Sequence, residues 1–363
     1  MKLSSCFVPL ATALLVNLVG SRAAAQTVAP AYAGQKEGDF IAKSFTFQKG
    51  DTLPEVRLHY TTLGTPHRNG AGEIDNAVLL LHGTTGTGKS FLSASLGGQL
   101  FGPGQPLDAS AFFVILPDGL GRGGSSKPSD GLRAKFPRYG YGDVVAGQRR
   151  LLSEGLGVEH LRLIVGTSMG GMQAWMWAER YPDAMDAIMP IACQPVEISG
   201  RNMLWRRLVS EAIRTDPDWN EGNYTKQPGH FTHVFPIFNI MTESPLRLQE
   251  QAPTRAKANE LYDGFISKYA KLDANDALYW FESSYDYDPA ADLGKIKAKV
   301  LAVNFADDEL NPPELDVMER MMPRVKNGRF VNVGASPNSH GHQSISEAAL
   351  WKQYVVQLLG SPR

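Results

Sequence analysis

Ser168 stands in the pentapeptide Gly166-Thr167-Ser168-Met169-Gly170, directly after the apolar run Leu161–Val165 and at the head of a helical pattern from Met169 to Tyr181. Strand, sharp turn and helix in that order hold a serine on a strained backbone with its hydroxyl presented, and small flanking residues are needed because side chains there would strike neighbouring backbone. The chemistry open to such a serine is attack on an acyl carbon. A hydroxyl is almost un-ionised at neutral pH, so it needs an imidazole to take its proton and a carboxylate to fix the imidazole's tautomer. On elbows of this kind the three follow in the order nucleophile, acid, base. Asp307 and Asp308 lie just past the run Val300–Phe305, and His340 and His342 lie past Phe330–Val333. Spacing leaves both members of each pair open. His59, His67 and His160 precede the serine, while His230 and His233 fall in a helical stretch where they read as pocket-shaping or bridging groups.

The attacked carbonyl would become an oxyanion that needs two N–H donors. One comes from the residue after the nucleophile, here Met169, and the other from a turn after an early strand. Leu79-Leu80-Leu81-His82-Gly83-Thr84 supplies such a turn and assigns the first donor to the Thr84 amide, with His82 reading as structural beneath it. The same turn spells Gly83-Thr84-Thr85-Gly86-Thr87-Gly88-Lys89-Ser90, a full match to the phosphate-cradling G-x-x-x-x-G-K-[ST] pattern. Gly97-Gly98 weakens the helix that must follow such a loop, and Pro117 with the Gly-rich turn Gly119–Gly124 weakens Asp118 as a magnesium ligand. The reading is therefore a serine site and not a nucleotide site.

Short apolar runs must position these residues. Val56–Tyr60, Ala77–Leu81, Phe112–Leu116, Leu161–Val165 and Ala187–Ile191 alternate with helical patterns such as Tyr141–Gly155. That alternation predicts a mainly parallel sheet with helices on its faces. Most of the runs are continuous, as strands buried on both faces are, while Val56–Tyr60 alternates and is expected nearer an edge. From about residue 201 to 285 the chain turns aromatic and helical with repeated Pro breaks, and no strand pattern appears. It then resumes with Val300–Phe305 and Phe330–Val333 and closes on an amphipathic helix over Ser344–Leu359. Residues 26–200 and 286–363 thus read as one catalytic core, interrupted by a helical cap insertion over 201–285.

The first 25 residues read as a targeting leader: Lys2, an apolar stretch Phe7–Val19 and the small-residue site Ala23-Ala24-Ala25. The expectation is a secreted or periplasmic protein beginning near Gln26. Loss of Lys2 and Arg22 reduces 36 basic residues to 34 against 37 acidic ones, a formal net charge of −3 with no basic run for nucleic acid. Cys6 leaves with the leader, so Cys193 has no partner for an internal disulfide. The expected partner is a small-molecule ester, with no cofactor, no metal, no nucleic acid and no stable membrane association after leader cleavage; a homodimer is left open.

Gly166–Pro182, GTSMGGMQAWMWAERYP, resembles the nucleophile region of the homoserine O-acetyltransferase family within the α/β-hydrolase superfamily. Phe112–Gly124, Phe136–Asp143, Ala212–Tyr224 (AIRTDPDWNEGNY), Leu272–Tyr279 (LDANDALY), Asp308–Glu314 (DELNPPE) and Gly341-His342 extend the resemblance over most of the chain. It implies an α/β-hydrolase fold with a mainly parallel central sheet, a nucleophile at Ser168, an acid at Asp308, a base at His342 and an oxyanion donor at Thr84. Asp307 and His340 become second choices, since the family's acid precedes a Pro-Pro run and its base follows a Gly. One departure bears on substrate. Where the family carries an Arg that holds the acceptor's carboxylate, this chain reads Gly229–Thr242, GHFTHVFPIFNIMT, without an Arg. Phenylalanines cannot replace a bidentate guanidinium, so the expectation shifts from acyl transfer to homoserine toward hydrolysis of a less polar ester.

Overall fold

The structure is a computed structural model that describes residues 32–360. The leader read at residues 1–25, with its cleavage point, lies outside the described residues. Eight strands form one sheet: β1 (Lys36–Thr46), β2 (Thr52–Leu63), β3 (Ala77–Leu81), β4 (Phe113–Pro117), β5 (Leu163–Thr167), β6 (Ala187–Ile191), β7 (Lys299–Phe305) and β8 (Gly328–Val333). Their spatial order is β1-β2-β4-β3-β5-β6-β7-β8. Strand β2 runs antiparallel to both of its neighbours, and every pair from β4 to β8 is parallel.

Helices follow the strands in the order a parallel sheet requires, because each parallel neighbour needs a crossover. They are α1 (Gly97–Leu100), α2 (Tyr141–Arg150), α3 (Met169–Arg180) and, between β6 and β7, α4 (Gly200–Arg214), α5 (His230–Val234), α6 (Ile237–Thr242), α7 (Pro245–Gln251), α8 (Arg255–Tyr269) and α9 (Ala274–Glu282). The chain ends on α10 (Val317–Met321), which precedes β8, and α11 (Lys352–Leu359). No strand lies between β6 and β7 among the described residues.

The core obeys the strand period of two. On β3, Leu79 and Leu81 pack with Ile164 of β5 and Trp175 of α3 on one face, while Val78 and Leu80 pack with Leu163, Val165 and Trp351 on the other. A separate aromatic core built on Trp205, Phe231, Phe235 and Phe281 lies within the helical segment between β6 and β7.

Three elements depart from the sequence reading, each for a physical reason. Strand β5 begins two residues later than the apolar run and takes in Gly166 and Thr167, which pair with Leu81 and with Pro190 and Ile191. Backbone pairing therefore continues up to the nucleophile, which apolarity alone does not signal. Strand β1 is not foreseen because it is an edge strand, where only Ala42 and Phe45 are buried along its eleven residues; β2, read as near an edge, is second from it. The closing helix is also shorter than Ser344–Leu359. Residues Gln343–Ser346 and Ala348–Leu350 form tight 3₁₀ turns and regular helix starts at Lys352. Their backbone is engaged elsewhere: the Ser344 N–H donates to Gly341 O at 3.1 Å and the Ala348 N–H to Ser95 O at 3.1 Å.

Candidate active site

Ser168 sits between β5 and α3 with φ 53° and ψ −115°, left-handed backbone that costs a residue with a side chain about 1–3 kcal/mol. Its amide donates to Ile191 O at 2.8 Å, pinning the turn to β6. The flanking glycines are sterically required. A Cβ at Gly166 would lie 2.1 Å from the Gly170 carbonyl oxygen, and one at Gly170 would lie 2.0 Å from that of Leu81. The turn therefore holds the Ser168 hydroxyl at the positive end of the α3 dipole.

The carboxyl ends of β5, β7 and β8 bring three distant side chains together. His342 Nε2 lies 2.7 Å from Ser168 Oγ, and His342 Nδ1 lies 2.8 Å from Asp308 Oδ2. Asp308 is 1% exposed and His342 4%, so the pair is screened from water and its hydrogen bonds act at low dielectric. The Asp308 carboxylate is held further by donation from the Leu310 N–H at 2.9 Å and from Asn311 Nδ2 at 2.8 Å. Asn311 Nδ2 also donates to Ala192 O at 3.0 Å. Ala192 has a φ of 53° at the end of β6, so the strand terminus and the acid's loop are tied by one amide.

The doublets that spacing left open occupy different surroundings. Asp307 points to the loop after β8, where Oδ2 accepts from Ser339 Oγ at 2.8 Å and from the Gly341 N–H at 3.0 Å. It thus holds the loop that carries His342 and is not bonded to the imidazole. His340 donates its backbone N–H to Ser344 Oγ at 2.8 Å. Gly341 between the histidines has a φ of 59° and passes close to the backbone of Glu243 and Ser244. Gln343 Nε2 donates to Thr242 Oγ1 at 2.9 Å, a second link between this loop and the helical segment.

Thr84 lines, with Ser168 and His342, a cavity of about 180 Å³. No acceptor for the Thr84 N–H occurs among the described residues, and Met169 opens α3, where a first-turn amide has no partner within the helix. His82 lies underneath. Its Nδ1–H donates to Gly83 O at 2.8 Å and its Nε2 accepts from the Gly119 N–H at 2.9 Å, which fixes the tautomer. Burial pushes its pKa down to about 4, so it stays neutral in this role.

The phosphate-loop pattern over Gly83–Ser90 does not build a phosphate cradle. Asp118 accepts from the Gly88 N–H at 2.7 Å and the Gly124 N–H at 2.9 Å, so a loop amide and the candidate metal acid bond to each other. Gly88–Leu92 is a short 3₁₀ turn, and Lys89 pairs with Glu37 at 2.8 Å.

Two site features escape the sequence reading. Phe238 of α6 lines the Ser168 cavity, whereas Trp205, Phe231, Phe235 and Phe281 are buried in their own aromatic core. Trp280 bonds Gly121 O through Nε1 at 2.9 Å with Arg122 stacked 3.6 Å above its ring centre. Asn311 is the other. It stands between Leu310 and Pro312 behind the acidic run Asp307-Asp308-Glu309, where one more polar residue carries no distinguishing signal.

A model of the alpha/beta hydrolase fold family matches residues 76–336. A protein named probable acyltransferase from Methanothermobacter thermautotrophicus is 28% identical over 324 residues, spanning 88% of this chain and 97% of its own. Homoserine O-acetyltransferase of Haemophilus influenzae is 28% identical over 338 residues, with 84% of this chain and 92% of its own covered. Among solved structures, the acetyl esterase MekB superposes with a TM-score of 0.75 at 26% identity over 90% of this chain and 97% of its own. Homoserine O-acetyltransferase from Bacillus anthracis superposes with a TM-score of 0.78 at 23% identity, over 90% and 98%, a likeness of fold.

Proposed function

The chain belongs to the alpha/beta hydrolase fold family, and from that premise we propose that it is a serine hydrolase cleaving a small or moderately apolar carboxylic ester through an acyl-enzyme on Ser168. His342 takes the hydroxyl proton as Ser168 Oγ attacks the ester carbonyl, and Asp308 stabilises the imidazolium that forms. The Thr84 and Met169 amides receive the oxyanion. Collapse of the tetrahedral intermediate breaks the C–O bond to the alcohol, which leaves with the proton from His342. Water, deprotonated by the same imidazole, then attacks the acyl carbon and returns Ser168 and a carboxylic acid. No metal or organic cofactor enters these steps.

The observation that carries the proposal is the continuous relay of 2.7 Å and 2.8 Å from Ser168 through His342 to Asp308. Acyl transfer to an acceptor other than water uses the same residues, and the acyltransferase names of two relatives favour it as a second reading. Against homoserine as acceptor stand the Arg-free segment Gly229–Thr242 and Phe238 in the cavity wall. An acetyl esterase of similar fold supports hydrolysis. The deciding experiment follows p-nitrophenyl acetate and longer esters with the purified protein, with and without acetyl-CoA and homoserine. Hydrolysis unaffected by either addition supports the esterase; formation of O-acetylhomoserine as the main product replaces it.

Two further readings belong to the proposal. The helices of residues 201–285 act as a cap over the site. Residues 1–25 are a cleavable leader that places the enzyme outside the cytoplasm; amino-terminal sequencing of protein from its producing cells should begin near Gln26.

A further inference from the structure

The loop that carries the base is held from two sides. After β8 the chain is exposed from Gly334 to Asn338, and its first hold on the core is the donation of Ser339 Oγ and the Gly341 N–H to Asp307. The other hold comes from the helical segment between β6 and β7. Gln343, directly after His342, donates Nε2 to Thr242 Oγ1 at 2.9 Å. Gly341, directly before it, lies so close to the same stretch that a Cβ there would sit 3.0 Å from the Ser244 nitrogen and 3.3 Å from the Glu243 carbonyl carbon. Both chain neighbours of His342 therefore meet residues 242–244.

Thr242 is the last residue of α6 and is buried. Its hydroxyl proton is committed, since Oγ1 donates to Phe238 O one turn earlier at 2.7 Å. A hydroxyl has one proton, so toward Gln343 this oxygen can only accept, and the amide must present its N–H edge. The helix behind it is anchored. Asn239 accepts from the Tyr269 hydroxyl on α8, and Phe238 packs 5.6 Å from Trp205 and 6.2 Å from Phe281. Phe238 lines the Ser168 cavity, whereas Thr242 does not. A single turn of α6 thus carries a wall of the cavity at one end and the hold on the base at the other.

We propose that Thr242 is a positioning residue for His342, acting through Gln343, so that α6 sets the catalytic base as well as walling the cavity. Proton transfer from Ser168 depends on the 2.7 Å approach of His342 Nε2, and a misplacement of about 1 Å at a reacting group costs up to about 100-fold in rate. Asp307 still holds the other side of the loop, and Asp308 still holds the ring. Loss of the Thr242 hold should therefore cost less, about tenfold. The inference rests on Ser168 being the nucleophile and His342 its base.

The test removes the hydroxyl and keeps the shape. Thr242→Val should lower kcat on p-nitrophenyl acetate about tenfold with KM within about twofold, and Thr242→Ser, which keeps the hydroxyl, should stay within about threefold of the parent. Gln343→Met should lower kcat by a similar factor, and the double variant should be slower than either single one by no more than about twofold, because both remove the same hydrogen bond. Thr232→Val removes from α5 a hydroxyl bonded to Gly229 O, away from the His342 loop, and should leave kcat within about twofold. The rate of fluorophosphonate labelling of Ser168, which needs the base but no ester turnover, should fall in step with kcat in each variant. A parent that labels without cleaving esters would remove the esterase reading and leave the labelling rates to decide this one. If Thr242→Val does not fold by circular dichroism, Thr242→Ala and Gln343→Met decide by the same rates. Labelling unchanged in Thr242→Val overturns the inference. Equal losses in Thr242→Val and Thr242→Ser do so as well, since they would assign the effect to packing, and so does a double variant whose loss is the product of the two single ones.

Discussion

His342 Nε2 lies 2.7 Å from the Ser168 hydroxyl although 174 residues separate the two in the chain. The contact depends on two loops arriving from different strand ends, and the hydroxyl contributes little else to the fold. Ser168→Ala should therefore lower kcat on p-nitrophenyl acetate by at least about 10⁴-fold. Unfolding free energy by urea titration should change by no more than about 1 kcal/mol, since one hydrogen bond is lost and its partner can reach water in the cavity. Retained turnover would remove Ser168 from the mechanism.

Adjacent carboxylates should give opposite results. Asp308→Asn keeps the shape but offers His342 Nδ1 no anion and can present an N–H to it, so kcat should fall by about 10⁴-fold with stability little changed. Asp307→Asn leaves the relay intact and loosens the Ser339 and Gly341 contacts that hold the loop. It should keep turnover within about tenfold while losing about 1–2 kcal/mol of stability. The reverse pattern, measured by steady-state kinetics and urea unfolding, would exchange the roles of the two.

Those two aspartates also mark how far sequence reaches. Strands β3 and β6 are visible as apolar runs because both of their faces are buried, and Ser168 is visible because its glycines answer a steric demand within five residues. Asp307 and Asp308 cannot be told apart by spacing, since both follow β7. Their difference arises from the turn closed by Asp308 N–H to Phe305 O and from what the β8 loop presents to each. Strand β1 is hidden because an edge strand carries charge, and Phe238 because an aromatic in a helix has the same pattern whether it faces a core or a cavity. The phosphate-loop match misleads for the same reason: the pattern contains no information about Asp118 bonding to the Gly88 amide.

Asn311 is expected to act as a positioning residue for the acid. Its Nδ2 spans Asp308 Oδ2 and Ala192 O, so Asn311→Leu removes a donor from each and lets the carboxylate turn. A fall of about tenfold in kcat with KM unchanged is expected, because the substrate does not touch the amide. An effect confined to KM would place Asn311 at the substrate instead.

Lys89→Ala tests the loop that mimics a nucleotide site. The ammonium is half exposed and pairs with Glu37 on the surface, an interaction worth about 0–1 kcal/mol. Ester turnover should stay within about twofold and stability within about 1 kcal/mol. Loss of magnesium-dependent ATP binding in this variant, if the parent shows any, would restore a phosphate role to the loop.

His82 should make the oxyanion turn acid-sensitive, with a definite sign. Burial holds the folded pKa at about 4, below the ordinary histidine value of 6.5. Between these values the unfolded chain binds a proton that the folded chain refuses, so this residue's contribution to stability falls as pH drops from 6.5 to about 4. The full effect is about 3 kcal/mol. Asp276 and Glu179, whose buried carboxyls are pushed up to about 6 and about 7, work in the opposite direction, and the net pH dependence of the parent protein conceals the contribution. The comparison that isolates it is urea unfolding of the parent and of His82→Gln from pH 4 to pH 7. Glutamine can still offer a donor and an acceptor but does not titrate, so the parent should lose ground against it steadily as acid is added. Curves that stay parallel across this range would mean that His82 protonates without disturbing its bond to the Gly119 amide.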